Sequence, residues 1–180
     1  MSPKECQTAN WHDVGQADGL LGKNLGYLNQ RRSDCAEANV QIDQAAYLKG
    51  REQGLKNYCQ LGNAALIGLR GEVYEGVCPP AIDPEFRRRY GIGLDIHRFQ
   101  DEIARLQHRL ASLEERFRRN QYEFEQRLGS RGKNEDHQRL YRDFQREQDR
   151  IRDEQGVLAA NLQWNQNQLI NAERVLQSLR

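Results

Sequence analysis

Large apolar residues are scarce in this chain of 180 residues: hydrophobic residues make up 37% and aromatic residues 8%. The mean hydropathy is −0.95, and no apolar run approaches the roughly 20 residues that a membrane-spanning helix needs. Charge of one sign is also lacking, because 27 Lys and Arg face 26 Asp and Glu, which leaves a net charge of +1. This balance argues against an electrostatic nucleic-acid or membrane binder.

Cysteine and proline are absent from the second half of the chain. All four cysteines and all four prolines precede Gly91, and 12 of the 15 glycines lie at or before Gly93. The composition therefore predicts two domains: a glycine-rich, disulfide-containing helical head over 1–93 and a second domain over 94–180.

The apolar residues of the second domain recur in steps of three and four. Those of its first part are Ile96, Phe99, Ile103, Leu106, Leu110, Leu113, Phe117 and Phe124. Arg, Glu and Gln fill the intervals, and neither proline nor glycine interrupts the run from 94 to 128. This spacing is typical of a coiled-coil seam.

A second seam follows a polar stretch. Residues 129–133 predict a reversal of the chain, and Asn134 is suited to cap the next helix. The second seam runs from Tyr141 to Leu179. Counting back from the loop pairs Phe117 with Gln148, Leu110 with Gln155 and Phe99 with Asn165. We therefore predict an all-α protein in which a long antiparallel helical hairpin, a coiled coil, follows the head. The end of its second helix is expected to dock on the first half of the chain.

Glycines of the head recur at helical spacing. One stripe contains Gly15, Gly19, Gly22 and Gly26, and a second contains Gly50 and Gly54. Each interior glycine costs a helix about 0.5–1 kcal/mol relative to alanine, so the stripes predict helices whose backbones approach closely. Two alternatives are turns between shorter helices and a loop that cradles a ligand.

The segment 59–78 contains four glycines and too little periodicity for a long helix, so a loop, with a short hairpin as an option, is predicted there. The triplet Asp83-Pro84-Glu85 after it predicts the start of a helix.

The four cysteines include no C-x-x-C pair, which disfavours a zinc site. A head with few apolar residues favours disulfides formed in an oxidising compartment. Free buried thiols and catalytic or metal-binding thiols are the alternatives, and the residues alone leave three disulfide pairings open. The polar start at 1–6 is not a signal peptide, so an exported protein would be represented here by its mature part.

The residues of the head form an ordered series. It contains Glu5-Cys6, Trp11, Gly15, Asp18-Gly19, Gly22, Cys35, Tyr47, Gly50-Arg51, Gly54-Leu55, Tyr58-Cys59, Gly68, Gly71, Tyr74 and Gly76-Val77-Cys78-Pro79. In order and spacing this series, over about 5–93, resembles the bacterial family grouped as domain of unknown function 2799.

The resemblance implies a secreted lipoprotein of the periplasm of a Gram-negative bacterium. Its lipid-bearing cysteine would lie upstream of Met1, so that the protein meets the membrane only through a lipid anchor. The resemblance also implies disulfides between Cys6 and Cys35 and between Cys59 and Cys78, and a coiled-coil tail. It implies no activity.

Asp18, Tyr47, Arg51 and Tyr58 form the polar set of most interest, because the glycine stripes could bring their helices together. The set is expected to be a structural cluster built on an Asp18–Arg51 ion pair, or else a small-ligand or enzymatic site. We predict no catalytic residue, cofactor or metal site elsewhere. The arginine runs at 87–89 and 118–119 have acids close by, so no nucleic-acid role is expected.

The function expected from these observations is that of a non-enzymatic cell-envelope protein. It would bind a partner protein through the coiled coil or its junction with the head. A periplasmic inhibitor or immunity-type binder of a toxin or enzyme is the alternative. A homodimer formed through the coiled coil is one version of this hypothesis, since a helical hairpin has a single seam and can bury more area in a four-helix bundle. Trp164 lies off the seam and either covers the core from the flank or is an exposed contact for the partner.

Overall fold

The protein is all-α, as predicted. The structure, a computed structural model, describes residues 1–130 and 134–179, with the backbone alone at 130 and 134–136. These ranges contain seven α-helices and no strand. The helices are α1 Pro3–Thr8, α2 Trp11–Leu20, α3 Gly26–Ala36, α4 Gln44–Tyr58, α5 Leu61–Leu69, α6 Asp83–Ser130 and α7 Asn134–Gln177. None of them is long and apolar enough to span a membrane.

The chain divides into two compact units. Met1–His97 together with Arg174–Arg180 form the head unit, and Arg98–Glu173 form the long-helix unit. Helix α6 begins at Asp83, as the Asp-Pro-Glu triplet predicts, and continues unbroken through both units. The presence of Arg174 and the residues after it in the head unit agrees with the expectation that this end of the chain joins the first half.

Helices α2 and α4 cross with their backbones in contact. A Cβ atom placed on Gly15 would lie 2.0 Å from the carbonyl oxygen of Tyr47, and one on Gly50 would lie 1.9 Å from that of His12. Gly19 and Gly54 meet backbone atoms of the opposite helix in the same way. No side chain fits at such distances, which confirms the predicted close packing at these four positions.

The predicted stripe is wrong beyond Gly19. Helix α2 ends at Leu20, Gly22 lies in the turn after it with φ +65°, and Gly26 begins α3. The Gly22 N–H donates to the carbonyl oxygen of Gly19 at 3.0 Å, and the Lys23 N–H donates to the backbone carbonyl oxygen of Asp18 at 2.9 Å. This bond pattern ends a helix through a left-handed residue, so the alternative of a glycine turn applies here.

The prediction of a loop or hairpin over 59–78 is also wrong, because Leu61–Leu69 forms helix α5. Gly68 is the contact point of a second crossing, where a Cβ atom would lie 2.3 Å from the carbonyl oxygen of Tyr90 in α6. On the α6 side, a Cβ atom on Gly93 would lie 2.2 Å from the carbonyl oxygen of Ala65. Four glycines and weak periodicity favour a loop in this segment, but at Gly68 the backbone of α6 occupies the space of the missing side chain.

The two crossings share one pattern. In each crossing, one contact glycine is followed three residues later by a glycine with positive φ: Gly19 by Gly22 at +65°, and Gly68 by Gly71 at +69°. An aromatic ring of the opposite helix covers each turn, Tyr58 at Gly22 and His97 at Gly71. The head is therefore built from two similar glycine-packed helix pairs.

Each pair has a small core with one disulfide. The disulfides are Cys6–Cys35 and Cys59–Cys78, the pairing that the family resemblance implies. The first lies in the core that contains Trp11 and Tyr47, and the second in the core that contains Phe86. Because these cores are small, covalent closure compensates for the limited burial of apolar area.

The long helices pack antiparallel in the long-helix unit. The buried residues of their core are Leu106, Leu113, Ile151 and Leu158. Arg109 forms an ion pair with Glu154 and Arg116 forms one with Glu147, so residue numbers fall along α7 as they rise along α6. The predicted loop at 129–133 cannot be compared in full, because 131–133 lie outside the described residues.

Polar residues occupy core positions of this pair. Gln148 and Asn165 are 6% and 7% exposed, at positions that the sequence places in the seam. Asn165 Nδ2 donates to the carbonyl oxygen of Asn161 at 2.9 Å. Among the described residues, Gln148 Nε2 and Asn120 Nδ2 are buried with no hydrogen-bond partner. A buried donor without a partner costs about 1–3 kcal/mol, so this part of the pair is stabilised less than the leucine layers.

Candidate functional site

The most buried charged group of the head is Asp18, on α2, which is 2% exposed. Arg31, on α3, donates from Nε and Nη2 to the two carboxylate oxygens at 2.6 and 2.5 Å. The Tyr47 hydroxyl, on α4, donates to Oδ2 at 2.7 Å. Asp18 therefore joins three helices at one point, beside the glycine crossing that brings α2 and α4 together.

The electrostatics of this cluster keep the carboxylate charged. Burial alone raises the pKa of Asp18, but the hydrogen bonds from Arg31 and Tyr47, with the Arg31 charge, outweigh burial and leave that pKa below its usual value. The bond to Asp18 raises the pKa of Arg31. Burial, and then the bond to Asp18, raise the pKa of Tyr47 far above its usual value. Tyr47 therefore remains a neutral donor.

This chemistry suits structure better than catalysis. Both oxygens of Asp18 accept hydrogen bonds from the protein, and its lowered pKa makes it a poor proton acceptor near neutral pH. The bidentate contact with Arg31 is the strong, geometrically specific form of an ion pair. The cluster is a polar connection within the head.

The structure brings together only part of the predicted set. Arg51 does not pair with Asp18; its Nε and Nη2 donate to the carbonyl oxygen of Lys23 at 3.1 and 2.7 Å. Tyr58 lies in the other core, with its ring stacked near that of Phe86. Arg31 is not among the residues that the sequence indicates, because nothing in the spacing of α3 shows which arginine faces Asp18.

A second polar group holds the segment before α6. The Tyr74 hydroxyl donates to Asp83 Oδ1 at 2.5 Å and accepts from the Cys78 N–H at 3.0 Å. Arg87 donates to the other Asp83 oxygen at 2.6 Å, and its guanidinium lies 5.1 Å from the centre of the Tyr74 ring. Burial, with the bond to Asp83, raises the pKa of Tyr74 to about 12. These contacts fix the position of Cys78 for its disulfide.

Trp164 lies on the surface of the long-helix unit, as the prediction of an exposed side chain requires. Its side chain is 57% exposed, and its ring meets that of Phe99 edge to face at 6.2 Å between centroids. Val157, seven residues earlier on α7, is 62% exposed. Because seven residues are almost two helical turns, the two side chains share one face, named here the Trp164 face.

Metal binding has no candidate in the part of the chain that the structure describes, where no group of three or more His, Cys, Asp or Glu side chains could hold an ion. His12 contacts its neighbour Asp13 at 3.3 Å on the surface.

Together these features define a class of protein: an α-helical head with two disulfides and two glycine-packed helix pairs, followed by a long antiparallel helix pair. Residues 10–95, which lie within the head, match the family described as "Protein of unknown function (DUF2799)". Over 71 residues the chain is 31% identical to "Uncharacterized protein YfiL" of Escherichia coli (strain K12). That similarity covers 39% of this chain and about half, 54%, of the relative. No solved structure matches the chain.

Proposed function

We propose that the protein is a non-enzymatic component of the cell envelope that binds another protein through the Trp164 face. The exposure of Trp164 carries this proposal. Its edge-to-face contact with Phe99 restrains the Trp164 ring before binding. Little side-chain freedom is therefore lost when a partner covers the exposed part of the ring. Tryptophan is enriched at the energetic centres of protein interfaces, and Val157 extends the apolar area.

The compartment is part of the proposal. Two disulfides in a small head support a location outside the reducing cytoplasm. We place the protein in the periplasm of a Gram-negative bacterium, attached to the membrane through a lipid on a cysteine upstream of Met1. The three- and four-residue seam spacing, with its antiparallel ion pairs, supports a coiled coil as the binding element.

Site-directed photo-crosslinking in cells tests partner binding. A photoreactive residue at Val157 is compared with one at Ala159, an exposed α7 position that points to the other side of the helix from Val157 and Trp164. We expect a discrete crosslink to another protein from 157 and none from 159. Trp164→Ser should reduce the product about tenfold, the loss that corresponds to about 1.4 kcal/mol of binding energy. Equal products from the two positions, with helicity unchanged by circular dichroism, would contradict binding at this face.

Thiol trapping tests the compartment separately. Cells are quenched with acid, the protein is denatured, and a maleimide reagent is added with or without prior reduction. The reagent should modify the protein only after reduction, because all four cysteines are in disulfides. Modification without a reductant would place the protein in a reducing compartment.

A further inference from the structure

Helix α7 contains a long segment without charged side chains. Residues 155–172 include no Asp, Glu, Lys, Arg or His, although charged residues make up 29% of the chain. The segment begins directly after Glu154 and ends directly before Glu173, and most residues of 142–154 are charged. The lack of charge is therefore a local property of this part of α7, and the Trp164 face lies within it.

Much of this segment is exposed. Its exposed side chains are small, apolar or amide groups, among them Val157, Asn161, Trp164, Asn167 and Ile170. Charged and polar residues normally share the outer face of a helix that water surrounds. In protein interfaces, charged residues are depleted from the buried centre and aromatic residues are enriched there. The exposed side chains of the segment thus have the composition of an interface centre.

Amides adjoin the two apolar residues of the Trp164 face. Asn161 lies four residues after Val157 and three before Trp164, and Gln168 lies four after Trp164, so both share the face. An amide side chain donates and accepts hydrogen bonds but carries no charge. These side chains can therefore bond to backbone, amide and hydroxyl groups of another protein, but they cannot neutralise a charged group.

Two acids beside the face are paired within the chain. Glu154, directly before the segment, forms an ion pair with Arg109. The register of that pair places Glu102 of α6 level with Asn161, and Glu102 forms an ion pair with Arg105. A charged group of a partner would lose its water at this face without gaining a free counter-charge from these residues, which makes the contact unfavourable.

We propose that the partner covers the Trp164 face with a protein surface that carries no charged side chain. Apolar, amide, hydroxyl and backbone groups make the contacts. This inference rests on the proposed function and adds to it the chemical kind of surface that binds. The uncharged segment then also selects against charged protein surfaces, because the cost of burying an unpaired charge falls on them alone.

Charge variants in the cellular crosslinking assay test this inference. The photoreactive residue stays at Val157, and Asn161 is replaced. Asn161→Asp and Asn161→Lys should each reduce the crosslinked product about tenfold, whereas Asn161→Gln, which keeps a neutral amide, should retain it. Ala159→Asp and Ala159→Lys are the matched controls, since they place the same charges in the same segment on the other side of α7. Both controls should give as much product as the wild type.

The dependence on the sign of the charge decides the result. Loss of product from both charged Asn161 variants, with neither Ala159 variant affected, supports the inference. A charged Asn161 variant that gives as much product as the wild type overturns it, because the partner then tolerates or complements that charge. Equal loss from the Ala159 variants overturns it as well, since the effect would not belong to the Trp164 face. Absence of any product from the wild type overturns the proposed function together with this inference.

Discussion

Two glycines of helix α6, two residues apart, should respond in opposite ways to replacement by alanine. A Cβ atom on Gly93 would lie 2.2 Å from the Ala65 carbonyl oxygen and 3.0 Å from the Leu69 nitrogen, both backbone atoms. A Cβ atom on Gly91 would meet nothing within 4 Å. The pair therefore separates the steric cost of the crossing from the general effect of alanine on a helix.

The magnitudes follow from this geometry. In a helix, alanine is more favourable than glycine by about 0.5–1 kcal/mol, so Gly91→Ala should raise the free energy of unfolding by roughly that amount. At Gly93 the same gain applies, but α5 and α6 must move apart by about 1 Å to restore ordinary contact distances. Overpacking of this kind costs about 1–3 kcal/mol, and loss of the packed glycine contact brings the cost to the upper end. After subtraction of the helix gain, we expect Gly93→Ala to lower the free energy of unfolding by about 2–2.5 kcal/mol.

Urea unfolding followed by near-ultraviolet circular dichroism measures the difference in the head. The ring of Tyr74 lies between those of Phe86 and Tyr90, at 4.8 and 5.8 Å, so the aromatic signal reports the core next to this crossing. The far-ultraviolet signal is dominated by the long helices and serves as the control. A Gly93→Ala variant as stable as Gly91→Ala would refute the close backbone contact of α5 and α6.

Three further outcomes are expected. Tyr47→Phe removes a hydrogen bond to a buried carboxylate and should lower the free energy of unfolding in urea by about 1.5–3 kcal/mol; no change would show that Asp18 does not need this donor. Because the pKa of Asp18 is lowered in the folded state, its contribution to stability is present at neutral pH and is lost as the pH falls below about 4 towards the folded-state pKa. Asp18→Asn should flatten this acid dependence of the melting temperature, and an unchanged slope would contradict it. Replacing Cys59 and Cys78 together by serine removes a disulfide with a sequence separation of 19 and should lower the free energy of unfolding by about 3 kcal/mol. Thermal unfolding of this variant beside the wild type measures the difference.

Much of the architecture could be predicted because its signals are local. The three- and four-residue spacing of apolar residues defines the long helices, and the register counted from the loop places Phe99 opposite Asn165, one residue from its observed contact Trp164. The spacing of Gly15, Gly19, Gly50 and Gly54 indicates two helices that meet through their backbones. These patterns repeat with the period of the helix, so a single chain is enough to read them.

The errors arose where a glycine has two uses. Gly22 and Gly68 both follow apolar residues, yet the first forms a left-handed turn and the second packs inside a helix. A sequence lacks the information to choose, because the choice depends on whether another helix occupies the space of the missing side chain. For this reason the residues alone predict a loop in place of α5 and a longer helix in place of α2.

By itself, the sequence determined the helical class, the two-part organisation and the need for disulfides, since these follow from composition and periodicity. The tertiary structure decided which groups meet. Asp18 bonds Arg31 and not Arg51, because a buried carboxylate takes the donor whose helix faces it. It also decided that Trp164 has one edge packed and most of its surface open. The burial of a side chain, and which side chains it faces, depend on how the helices cross. The crossing of helices is a property of the packed chain as a whole.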